Sequence, residues 1–209
     1  MSLRIRFVAL VVLAGCSLAY SQQAQRTETT TPTTPQTTPQ TTPQVPSPGP
    51  LQFQKVVTVD GASRDQLYDA ALAWFTHTFR SSKDVIQVQN RESGTLIGKS
   101  LFEYDPVVFI ASGRISGVVR YTLTIEVKDG RYRYTVDSFE HEGSPVGSSG
   151  PLSFGLLTTD AQCPSTGSIT RSSQEKTWVD LKRKASAVAD TIANSLRERL
   201  ATAAAQKAW

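Results

Sequence analysis

Arg131, Tyr132, Arg133 and Tyr134 stand in direct succession within EVKDGRYRYTVDSFE, residues 126–140. Guanidinium groups that contact phosphates and aromatic rings that stack on bases are the two parts of a single-stranded nucleic-acid platform. A second cluster, Gly94-Thr95-Leu96-Ile97-Gly98-Lys99-Ser100, has the residue types of a phosphate-binding loop. A third, Gly113-Arg114-Ile115-Ser116-Gly117, has those of a serine nucleophile elbow. Spacing and the element carrying each cluster decide among these chemistries.

A phosphate loop needs four residues between its glycines and a helix directly after them, because the helix N-terminal amides cradle the anion. Here three residues intervene and the flanking pattern is that of strands. In the third cluster the serine falls one place too late for the elbow. The two histidines, His77 and His141, do not fall in HExxH spacing, and no CxxC pair exists. The sequence therefore predicts no metal site and no cofactor, and both histidines read as structural. No catalytic residue is assigned, although a Ser-His-Asp set assembled from distant positions stays open at this stage.

The N-terminus carries an address. MSLRIR is a basic segment and FVALVVLAG an apolar run too short for a stable bilayer span, which predicts a signal peptide over residues 1–15. Leu13-Ala14-Gly15-Cys16 resembles the lipobox of bacterial lipoproteins. That resemblance implies cleavage before Cys16 and a diacylglycerol on its thiol, anchoring the protein to a membrane of the cell envelope. A rival cut after Ser21, in Ala19-Tyr20-Ser21, would give a secreted or periplasmic soluble protein. Either cut removes Arg4 and Arg6 and leaves 20 basic against 18 acidic side chains. A balance so near neutrality gives no reason to expect nucleic acid as a partner. Export also leaves Cys163 without an intramolecular partner, so no disulfide framework holds the domain, and its segment shows no basic or histidine neighbour that would make the thiol reactive.

These chemistries need a scaffold, and the chain divides cleanly. Residues 16–50 form the lipidated N-terminus and a Thr/Pro-rich tether with a repeated TTPQ unit. The stretch from Thr27 holds seven of the eleven prolines, too little apolar surface to fold and enough proline to stay extended. In polyproline form it would reach roughly 70 Å at about 3.1 Å per residue. Residues 51–205 read as a single α+β domain with a flexible loop at 142–171, and 206–209 as a tail. Phe53–Val59 is a strand by its β-branched density. Ser63 and Gln66 form a capping box for a helix burying Leu67, Ala70, Ala71, Trp74, Phe75 and Thr78. Strands follow at Lys83–Asn90, Thr95–Tyr104, Val118–Lys128 and Arg131–His141. A second box, Ser172 to Glu175, opens a last helix that buries Trp178, Leu181, Ala185, Val188, Ile192, Leu196 and Leu200. The order is β-α-β-β-β-β-α: an antiparallel sheet with two helices on one face.

Asp129-Gly130 predicts a two-residue type I′ hairpin turn, since both residue types tolerate positive φ. The register then follows: Val127 opposite Tyr132, Ile125 opposite Tyr134 and Leu123 opposite Val136 on the core face. The other face pairs Glu126 with Arg133, Thr124 with Thr135, Thr122 with Asp137 and Arg120 with Phe139. Tyrosines and arginines thus point to opposite faces and cannot form one interleaved platform. The candidate binding face is Arg120, Thr122, Thr124, Glu126, Arg133, Thr135 and Asp137.

VVTVDGASRDQLYDAALAWF, DVIQVQNRESGTLIGK, YTLTIEVKDGRYRYTVDSFEH and KTWVDLK together resemble an exported bacterial domain family of unknown function. The resemblance covers about Phe53 to Leu200 and implies a TATA-binding-protein-like fold with the same element order; it implies no catalytic residues. The function expected is a non-catalytic binding or interaction module at the bacterial cell envelope. Its partner would be an unidentified envelope protein or a small ligand. The alternatives are an envelope hydrolase with an unrecognised site, or a structural role in an envelope assembly.

Overall fold

A computed structural model describes residues 48–79, 82–106, 112–165 and 169–205. The signal peptide, Cys16, all but the last residues of the tether and the 206–209 tail lie outside them. The elements are β1 (Phe53–Thr58), α1 (Arg64–Thr78), α2 (Ser82–Val85), β2 (Ile86–Asn90) and β3 (Thr95–Tyr104). They continue with α3 (Ser112–Ile115), β4 (Gly117–Lys128), β5 (Arg131–Gly143), β6 (Gly155–Leu156) and α4 (Arg171–Ala205). The expected α+β order holds, with two single-turn helices and the two-residue β6 added. The sheet runs β1-β5-β4-β3-β2, every pair antiparallel, and β6 extends it beside the far half of β5.

α1 starts where the sequence says it should. Ser63 Oγ accepts the Gln66 N–H at 3.3 Å, and Gln66 Oε1 accepts the Ser63 N–H at 2.9 Å. These bonds satisfy two of the donors that a helix start leaves orphaned. Leu67, Tyr68, Ala71, Trp74 and Phe75 are buried. Thr78, expected in the core, is exposed. The helix ends there, and Phe79 turns back to pack edge-on against Trp74 with ring centroids 5.7 Å apart. α4 begins two residues earlier than the expected box, with Thr170 and not Ser172 at the cap: Thr170 Oγ1 accepts the Ser173 N–H at 3.4 Å. It spans 35 residues, about 50 Å at 1.5 Å per residue. Its Trp178, Leu181, Ala185, Ile192, Leu196 and Leu200 are buried, whereas Val188 is half-buried. The two long helices cross-link through Trp74 Nε1–H, which donates to Ser195 Oγ at 3.1 Å.

Two strand expectations need correction. Residues 82–85 are a helical turn, so β2 is shorter than the predicted Lys83–Asn90. The turn brings Val85 against the core beneath Gly98. Gly98 itself makes room for Phe75, because a Cβ there would lie 2.6 Å from Phe75 Cε1. The second correction concerns β5. Its pairing with β4 follows the predicted register from Lys128↔Arg131 to Thr122↔Asp137, then shifts, so that Arg120 faces Glu140 and not Phe139. Ser138 is the extra residue, at φ 54°, the one non-glycine with positive φ among the described residues. Without this bulge, Phe139 and His141 would face water, because a one-residue slip exchanges the faces of a strand. A left-handed backbone costs about 1–2 kcal/mol. Burying a phenylalanine returns about 1.5–3 kcal/mol, and His141 and Gly143 become buried as well, so the bulge wins.

The hairpin turn also departs from type I′: Gly130 has φ 70° but Asp129 does not take positive φ. The turn is docked onto the start of α1. Asp129 Oδ1 accepts the Arg64 N–H at 2.7 Å, and Gly130 N–H donates to Ala62 O at 2.9 Å. Residues 142–165 are tied into the fold more than their Gly/Ser/Pro content suggests. Leu152, Phe154 and Leu157 are buried. Leu157 N–H donates to Phe139 O at 2.7 Å, while its carbonyl accepts the Leu51 N–H at 2.8 Å. The last tether residues join the same ladder, Gly49 O accepting the Thr159 N–H at 2.8 Å.

Candidate functional site

α1 and α4 occupy one side of the sheet, and the other side stays open among the described residues. All seven predicted face residues lie on that open side. Cross-strand register aligns Val88, Ile97, Thr124, Thr135 and Gln54 in one row. The next row is Thr95, Glu126, Arg133 and Val56. Towards the other end come Lys99, Thr122 and Asp137, then Leu101, Arg120, Glu140 and Leu156. Thr135 is only 8 % exposed, so it fills the centre of the face and offers little surface. Arg133 Nε and a second guanidinium nitrogen reach Glu126 Oε2 at 2.7 and 2.5 Å, the cross-strand pair expected from the register. Both partners are more than a third exposed, and an exposed pair of this kind contributes about 0.2–1 kcal/mol at most. Arg120 pairs with Glu142, and Asp137 accepts the Ser138 hydroxyl at 2.9 Å.

Sequence reasoning missed the apolar members of this face. Val56, Leu101, Leu156 and Val88 are 57, 50, 46 and 42 % exposed. The outward alternation of FQKVVT and TLIGKSLFEY carried the signal for Val56 and Leu101. For Leu156 no periodicity was available in a two-residue strand. Two shallow depressions mark the face. One, of about 230 Å³, lies at the hairpin end beside Val56, Glu126, Lys128, Arg131 and Arg133. The other, of about 330 Å³, lies over the bulge beside Lys99, Leu101, Arg120, Thr122, Ser138 and Glu140.

Of the two histidines that sequence chemistry singles out, His141 makes structural side-chain bonds and His77 makes none among the described residues. His141 is buried, and its Nδ1 accepts the Phe154 N–H at 3.2 Å. The proton therefore sits on Nε2, which donates to Ile115 O at 2.9 Å. Burial lowers its pKa, against smaller raising effects of the Ile115 carbonyl and Glu142. A neutral imidazole clamped between two backbone groups joins α3, β5 and the 150–157 segment. His77 is exposed on the last turn of α1. The phosphate-loop candidate continues as β3, with Lys99 on the open face, and the elbow candidate runs from α3 into β4. Tyr132 and Tyr134 are buried, as the register predicts. Burial pushes the Tyr132 phenol up to about 12, with nearby Arg197 opposing the shift. Tyr104 donates to Asp180 Oδ2 at 3.1 Å beneath α4; burial first, then the Asp180 charge, raise its pKa. Cys163 is buried, and the fold brings it an electrostatic neighbour that its own segment lacks, Arg171. No group of three or more His, Cys, Asp or Glu side chains suited to a metal ion occurs among the described residues. No described helix is long and apolar enough to cross a membrane.

Residues 53–142 match a family model described as a domain of unknown function (DUF4468) with TBP-like fold. The match ends short of the region around α4 that the sequence resemblance also included. A TBP-like protein from Parabacteroides distasonis is similar in structure at 16 % identity, over 77 % of this chain and 95 % of that one, with TM-score 0.49. A DUF4468 family protein from Bacteroides ovatus is similar at 14 % identity, over 70 % of this chain and 86 % of that one, with TM-score 0.47. No curated protein matches the chain.

Proposed function

We propose that this chain, whose residues 53–142 match the model of a domain of unknown function with TBP-like fold, is a non-catalytic binding module of the bacterial cell envelope. The open side of the sheet is its working surface. The observation that carries this reading is the mixed character of that surface. Exposed Val56, Val88, Leu101 and Leu156 stand among threonines and ion-paired arginines, an arrangement of apolar contact points within a polar field that suits recognition of a protein surface. The basic start and lipobox of the N-terminus support export and a lipid on Cys16, and the Thr/Pro tether supports a domain held off the membrane. The use of His141 in backbone bonding supports the non-catalytic part of the reading.

The test is comparative capture from the membrane fraction of cells expressing tagged protein. Wild type should enrich a discrete partner that Leu101→Asp with Thr124→Arg loses, while a substitution on the exposed side of α4 such as Glu198→Ala keeps it. Equal recovery by all three proteins would refute the open face as the binding surface.

A further inference from the structure

We infer that the hairpin end of the open face is a binding site for an oxyanion, a phosphate or carboxylate carried on a small apolar body. The depression there brings together Lys128, Arg131 and Arg133 with one carboxylate, Glu126. Arg133 and Glu126 neutralise each other through the two contacts at 2.7 and 2.5 Å. Lys128 and Arg131 are left, directly opposite one another in the ladder and both exposed. Like charges facing each other across a strand pair destabilise it, so the position asks for a counter-charge.

The sequence places a carboxylate next to Lys128, on Asp129, but the fold uses it elsewhere. Asp129 Oδ1 accepts the Arg64 N–H at the start of α1, 2.7 Å away. Among the described residues no carboxylate lies within ion-pair distance of Lys128 or Arg131. Two cations with no ion-pair partner among the described residues therefore flank a depression whose apolar side is Val56, 57 % exposed and paired in register with Arg133. An arginine fork and a lysine point charge are the ordinary means of holding phosphate or carboxylate, and Val56 offers its methyl groups to whatever carries the anion. A free metabolite and a phospholipid headgroup share this chemistry. The inference deepens the reading of the open face as a binding surface by naming the ligand class for one end of it.

The probe is phenyl phosphate, titrated into the processed chain from residue 16 with Cys16→Ala, and followed by NMR. Saturable shifts should centre on the Val56 methyls and the Lys128 to Arg131 amides, and benzyl alcohol should leave them in place. Lys128→Gln with Arg131→Gln should weaken binding at least tenfold, whereas Lys99→Gln, in the other depression, should leave it unchanged. Both side chains are exposed, so the double variant should melt no lower than wild type. Flotation with phosphatidylglycerol but not phosphatidylcholine vesicles, lost in the double variant, would assign the headgroup as the source. Binding that survives the double substitution, or no localised response to either probe, overturns the site. That result would leave partner capture sensitive to Leu101 and Thr124, so the two readings fail separately.

Discussion

His141 and Ser138 show how single residues of β5 decide what its second half faces. Because burial holds His141 neutral, its folded pKa lies below the ordinary 6.5, and the unfolded chain takes up a proton that the folded chain refuses. Stability from this group is complete above 6.5 and declines as pH falls towards the folded value. Between pH 7.5 and 5.5 the urea midpoint should therefore drop for wild type. In His141→Asn the midpoint should be lower at pH 7.5 but fall less across the same window; parallel curves would contradict a buried neutral imidazole. Ser138 pays for its φ of 54°. Ser138→Gly should raise stability by about 0.5–1 kcal/mol, and Ser138→Val should lower it by more than that. A thermal melt that ranks valine with glycine would mean the bulge is not held at this position.

At the scale of elements, the hairpin and α1 support one another. Asp129→Ala removes the carboxylate that receives the Arg64 N–H and should cost about 0.5–2 kcal/mol, in the range of a lost helix-start contact. Hydrogen exchange should then rise first in the opening turn of α1; an increase confined to the strands would contradict the docking. Gly98→Ala should cost about 1–3 kcal/mol, since its methyl meets Phe75 at 2.6 Å where α1 crosses β3. Much of this layer was legible in the sequence, because alternation and helical spacing report directly which face is buried. The register from Lys128↔Arg131 to Thr122↔Asp137 followed from turn length alone. The bulge was not legible: SFEHEG fits either face until Phe139 has a core to enter. The turn geometry at Asp129 was hidden for a similar reason, since its partner lies 65 residues away. Residues 142–165 read as loop because Leu152 and Phe154 are two apart and Phe154 and Leu157 three apart, so no single period runs through them, yet all three are buried.

For the whole molecule, the fold assigns one side of the sheet to the helices and leaves the other open among the described residues; that open side is the contact surface we propose. The proposed lipid on Cys16 would tether the domain to an envelope membrane. Wild type should incorporate labelled palmitate in a globomycin-sensitive manner, and Cys16→Ala should not; label that persists in the variant would contradict lipidation. The most direct test of the account is photo-cross-linking in living cells from single sites around the domain. Probes at Thr124 and Leu101 on the open face should trap a discrete adduct, and probes at Lys176 and Glu198 on α4 should trap none. Adducts that arise only from the α4 positions, or equally from every position, would contradict the open sheet face as the surface through which this protein acts.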